Sequence, residues 1–169
     1  MNTSHILLAS FLSISLFGAE IHNSKFNFSF TIPDRFIDYP AGKNDPSILY
    51  SFARMDPGGK SHMLINIQAM GAKISSAPWP ETLTESQKQA IPFGASYKRI
   101  QGTWHNYTVH GMENRYSLGN IPFLVRQLQI PLAPSAMMVM ILGNPKDEFE
   151  ISNLLQQVVS SINGSSNWD

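Results

Sequence analysis

Four groupings of residues in this chain have types that could do chemistry, and spacing decides each of them. Gly58-Gly59-Lys60-Ser61 copies the end of a phosphate-binding P-loop. The first glycine of that pattern would fall at Arg54, however, and the residues after Ser61 read as a strand, where the loop must hand its phosphate to a helix N-terminus. The stretch is read as a hairpin turn. His62, His105 and His110 invite a metal, since converging imidazoles bind zinc or copper well. A five-residue offset in one regular strand sends His105 and His110 to opposite faces. Met137, Met138 and Met140 could offer soft thioethers to Cu(I), but consecutive residues of an apolar strand alternate faces, so core packing is the expectation. Glu81 and Glu85, one helical turn apart, complement a helix dipole.

No Gly-x-Ser-x-Gly elbow is present, and a Ser-His-acid set would have to be assembled in space. The expectation is a protein without catalytic activity, cofactor or bound metal. What remains is a contact surface. Trp79 sits between Pro78 and Pro80, where rigid presentation lowers the entropy cost of engaging a partner, with Tyr39 and Tyr97 as candidate extensions of the patch. The alternative is that Trp79 folds back over the core, since Trp is usually well buried.

These residues need elements to hold them. Phe26, Phe28, Phe30 and Ile32 alternate with polar residues, the period of a strand with one buried face, and Pro33 stops it. Strands follow over 47–53 and 62–70, joined by Asp56-Pro57-Gly58-Gly59, whose turn chemistry suits a hairpin. Pro80 opens a short helix to about Ala90. Further strands are expected over 97–101, 104–110, 112–118, 121–130 and 136–142, with Gly111 and Gly119-Asn120 as turns or bulges. The run 136–142 is apolar on both faces, which argues for a central strand covered on both sides. A last helix begins at Asn144-Pro145, presents Phe149, Leu154, Leu155, Val158, Val159 and Ile162 as its apolar stripe, and ends at Asn163-Gly164. The pattern specifies an α+β domain with a largely antiparallel sheet flanked by helices, the C-terminal helix packed on the sheet.

Ile6 to Phe17 is an apolar run of about a dozen residues, the length of a signal-peptide core and short of a membrane span. Residues 1–19 are therefore expected to be a signal peptide, and 20–169 a single exported domain, periplasmic or secreted. With the leader removed, the chain should not insert stably in a membrane. The 12 basic and 12 acidic residues balance, so no basic field attracts nucleic acid. Cysteine is absent, which removes disulfides and thiolate chemistry. Sequons at Asn27, Asn106 and Asn163 are expected to be unmodified.

The aromatic first strand running into Ile32-Pro33 with Phe36 beyond it, the run Val125-Arg126-Gln127, and the closing Val159-Ser160-Ser161-Ile162 together resemble the PsbP-like superfamily, in order from Phe26 to Ile162. The resemblance implies an antiparallel sheet between helices, an α/β/α sandwich, and a role in binding other proteins. A monomeric, non-catalytic accessory module with an unidentified protein partner is the reading, and a carrier of a small ligand or metal is its alternative. A hydrolase would need Ser, His and an acid within hydrogen-bond reach.

Overall fold

Residues 18–43, 45–77 and 96–168 of the 169-residue chain are described by a computed structural model. Alternating apolar and polar residues form β1 (Ala19–Asn23), β2 (Phe28–Ile32), β3 (Ile37–Asp38), β4 (Ile48–Met55), β5 (Ser61–Ala69), β6 (Ser96–Trp104), β7 (Tyr107–Leu118), β8 (Ile121–Ile130) and β9 (Met137–Gly143). Among the described residues one α-helix, α1 (Glu148–Ser161), follows. β3 to β9 make a seven-stranded antiparallel sheet in the order β3-β4-β5-β9-β8-β7-β6, and β1 and β2 pair separately.

Register divides this sheet into two unlike faces. The face under α1 carries Phe52, Met63, Ile65, Ile67, Val139, Ile141, Leu124 and Leu128, all buried against Ile151, Leu154, Leu155, Val158 and Val159 of the helix. The opposite face mixes Ser51, Asn66 and Gln127 with Leu64, Met140 and Val125. The β1–β2 hairpin closes the helix side, where Thr31 N donates to Ser161 Oγ at 2.9 Å and Ser29 exchanges backbone hydrogen bonds with Asn163. Beyond the helix, Trp168 Nε1 donates to the Ile74 carbonyl and its ring meets Tyr107 edge-on.

Several expectations hold. The 56–60 turn is a hairpin, with Gly59 at φ +75° and its N–H on the Asp56 carbonyl. The strand 121–130 is β8, and β9 is central, between β5 and β8. Others need correction. β1 was not anticipated. Gly111 is no turn but lies inside β7, where any Cβ would overlap the Gln127 carbonyl of β8. The chain reverses instead at His105-Asn106, with His105 in the left-handed region at φ +50°. β9 is fully buried on the helix face and half-buried on the other, so its apolar residues do not mean equal burial.

The closing helix is also shifted. Asn144 accepts from Lys146 N and caps a single 3-10 turn, Pro145–Asp147, before α1 begins, and α1 ends at Ser161, with Ile162 extended. Phe149 lies off the stripe, 80% exposed, and Ile151, three and four residues before Leu154 and Leu155, completes it at 0%. The helix proposed from Pro80 to Ala90 lies outside the described residues. Truncating Ile151 to Ala should therefore cost about 2–5 kcal/mol, while Phe149→Ser should change stability by less than about 0.5 kcal/mol. Urea unfolding of the two variants measures both, and equal effects would mean the helix sits in another rotation.

Candidate functional site

Charge on the helix face of the sheet lies mainly at the end where α1 begins, in two clusters. Register places Arg126 of β8 opposite Glu113 of β7, beneath the first turn of α1. Glu113 is buried and accepts from Arg115 Nε at 2.8 Å and Arg126 Nε at 2.7 Å. Arg126 also donates to Glu148 at 2.6 Å and to Ser152 Oγ, and Arg115 pairs with the second oxygen of Glu148 at 2.7 Å. Two guanidiniums and two carboxylates thus close a neutral ring. Burial pushes the Glu113 carboxyl up, and the two arginines more than offset this, holding it below the ordinary carboxylate range.

A second clamp lies on the β4 side of the helix start. Glu150 accepts from Arg54 at 2.6 and 2.9 Å and from Arg35. Hydrogen bonds from Arg54 dominate burial and bring the Glu150 carboxyl from its usual 4.5 to about 2. His62 Nε2 lies 3.2 Å from Asp147 Oδ2. The carboxylates and arginines of this region hold the helix to the sheet.

The same end of the sheet, where α1 begins, carries the exposed large apolar side chains. Phe149 (80% exposed), Leu118 (60%), Ile121 (59%), Ile37 (57%) and Met55 (36%) all sit there, on the first helical turn, the β7–β8 turn, and the ends of β3 and β4. At the opposite end, an open polar groove of about 660 Å³ runs between the β1–β2 turn and the segment after the helix, lined by Glu20, His22, Asn27, Ser29, Asn163 and Ser165. A small recess of about 190 Å³ between α1 and β6 has Ile100, Leu128 and Leu155 as its apolar lining. That is below the usual range for ligand pockets.

Tyr39 and Tyr97 do not adjoin. Trp79 lies outside the described residues. Tyr39 is half-buried beside β3 at one edge of the sheet, its N–H on the Ser51 carbonyl, and Tyr97 is half-buried in β6 at the other edge. Six interstrand spacings, about 29 Å, separate those edges. His105 is likewise in a turn, stacked on Trp104 with Nε2 3.2 Å from the Ile162 carbonyl, so the strand argument about His105 and His110 had the wrong geometry. The ion-pair ring was not anticipated. Gly111-x-Glu113-x-Arg115 puts the charges on one side of β7, but only strand register supplies their partners.

No family model and no curated protein matches the sequence. Among solved structures, the chain is similar to cyanobacterial PsbP (CyanoP) from Synechocystis, with a TM-score of 0.56 and 13% identity over 89% of this chain and 94% of that one. It is also similar to LpqN, described as involved in cell envelope biogenesis of Mycobacterium tuberculosis, with a TM-score of 0.54 and 11% identity over 86% and 88% of the two chains.

Because the Glu150 carboxyl is depressed in the folded state, its pairing stabilises fully above pH 4.5 and is lost as pH falls toward 2. Glu150→Gln should therefore be less stable than the parent at pH 6, and the gap should narrow between pH 4.5 and 2. Urea midpoints across that range test it, and a gap independent of pH would remove the arginine pairing as its cause.

Proposed function

We propose that this chain, which has the PsbP-like fold, is a non-catalytic accessory module that acts outside the cytoplasm and binds another protein through the end of its sheet where the helix begins. One observation carries the reading. Large apolar side chains left in water are informative when they stand together, and Leu118 and Ile121 are paired at the β7–β8 turn, at the same end of the sheet as exposed Phe149. Isolated exposed hydrophobics scatter over most surfaces without meaning.

Local chemistry agrees with a docking role. Many of the charges at this end, Arg54, Arg115, Arg126, Glu113, Glu148 and Glu150, bond to one another within the domain. Leu118 and Ile121 face each other across the Gly119-Asn120 turn, which presents them on a short rigid support. A rigid anchor loses little entropy on association. The apolar leader supports an exported location, with residues 1–19 as the signal peptide and 20–169 as the domain. The likeness to LpqN, an envelope-biogenesis protein by description, is in keeping with that setting. Trp79 is kept as a second proposed contact, and the free domain is proposed to be a monomer.

Capture of the tagged protein against envelope or culture-fluid extract of its source organism tests this. A protein enriched by the parent should be lost from the Leu118→Asp, Ile121→Asp double variant, which should stay folded because both side chains are exposed. Trp79→Ala, run in parallel, reports whether the 78–80 loop contributes. Enrichment of the same protein by the double variant would place the contact elsewhere, and no enrichment over a control bait would remove the reading.

A further inference from the structure

The last residues of β7 and the first of β8 run past the strands beside them. Among the described residues β6 pairs with β7 only as far as Arg115, and β9 pairs with β8 only as far as Leu124. β7 and β8 continue to pair with each other up to Leu118 and Ile121. Residues 116–123 therefore form a two-stranded ribbon, of which 117–122 are all exposed. Three strand steps carry its tip about 10 Å beyond the sheet. At the tip, Gly119 at φ +61° supplies the positive φ that a two-residue hairpin turn requires.

The ribbon has two unlike sides. Glu113 and Arg115 of β7 bond to groups on the helix side, so alternation turns Tyr116 and Leu118 the other way, with their partners Phe123 and Ile121. The Tyr116 and Phe123 rings stack at 5.5 Å, and Leu118 and Ile121 stand exposed in front of them. Four large apolar side chains thus make a two-by-two block, while Ser117 and Pro122 make the opposite side. No charged residue lies between Arg115 and Arg126.

The backbone limits the kinds of contact this ribbon can make. The pair closing a two-residue turn is hydrogen-bonded and bonded pairs alternate, so the main-chain groups of Ser117 and Pro122 point outward. Pro122 has no N–H to offer there, which blunts the β8 edge against an added strand. Ser117 presents an N–H and a C=O that hydrocarbon would leave unsatisfied, so the ribbon is unsuited to immersion in a bilayer. A protein cleft can lay an apolar wall along the block and leave the Ser117 side to water.

We propose that residues 116–123 are a finger that enters an uncharged, apolar cleft of the partner protein. The inference rests on the docking reading above and names the surface that the partner must offer. A convex tip needs a concave seat, and a charged cleft would find nothing on this run to offset its desolvation. Phe149 stands on the helix side of the sheet, across from the apolar side of the finger, and lies outside the contact.

The chain has no cysteine, so single thiols introduced into the full-length protein report on access. Labelling rates of Asn120→Cys and Phe149→Cys with a maleimide-polyethylene glycol are compared for the free protein and for its complex with the protein captured from envelope extract. Complex formation should slow labelling at 120 by at least about tenfold, as for a group reached only in a minor open state, and leave the rate at 149 unchanged. A complex formed by Phe149→Cys but not by Asn120→Cys would report the same insertion. Equal slowing at both positions, loss of the complex by Phe149→Cys alone, or an unchanged rate at 120 within a formed complex would each overturn the finger and leave the docking reading standing. Slowing at 120 by phosphatidylcholine vesicles without protein would overturn it in favour of a lipid surface. Absence of any complex with the parent removes the docking reading and the finger with it.

Discussion

The position of Glu113 constrains everything at the helix start. A carboxylate buried under a helix is tolerable only with its charge balanced and its oxygens bonded, and removal of one partner from such a pair costs several kcal/mol. Arg126 and Arg115 meet both needs, and their remaining donors then require Glu148 and Ser152. The first turn of α1 is thereby fixed in rotation and height over β7 and β8. Arg54 and Arg35 hold the other side through Glu150. With both sides pinned, Phe149 has nowhere to point but outward.

That rotation separates the duties of the sheet's two faces. The helix face is dry and apolar apart from its charged corner, and it gives the fold its stability through close packing. The other face sets amides, hydroxyls and thioethers among its apolar residues, and Ser51, Asn114, Val125 and Gln127 are buried in it. The exposed apolar side chains are found at neither face but at one end, where four chain reversals meet.

Strand positions were legible because period-two alternation is a local property, as in Phe28, Phe30 and Ile32, and Gly59 was legible because a hairpin turn needs its positive φ. Gly111 was misread because a glycine required by close strand approach has the same letter as one required by a turn. Ile151 stands three and four residues before Leu154 and Leu155 and so belongs to their stripe by helical spacing alone, whereas Phe149, five before Leu154, was misplaced there. β1 went unseen because Ala19–Asn23 has only Ile21 as a large apolar residue. Nothing in the sequence orders the strands. Tyr39 and Tyr97 could be imagined as neighbours until the sheet put them at its two edges.

The low share of charge has a consequence for association. Charged residues make up 14% of this chain against about 25% in typical domains, and seven of them are consumed in the two helix clamps. The end that carries Phe149, Leu118 and Ile121 therefore has little field with which to steer an approaching partner. Electrostatic complementarity chiefly sets association rates, whereas desolvated apolar anchors act on dissociation. Contact at this end should form at an ordinary, salt-insensitive rate and owe its lifetime to burial of those side chains. A neutral apolar end suits a partner met at close quarters, one held in the same compartment, better than one recruited from a distance.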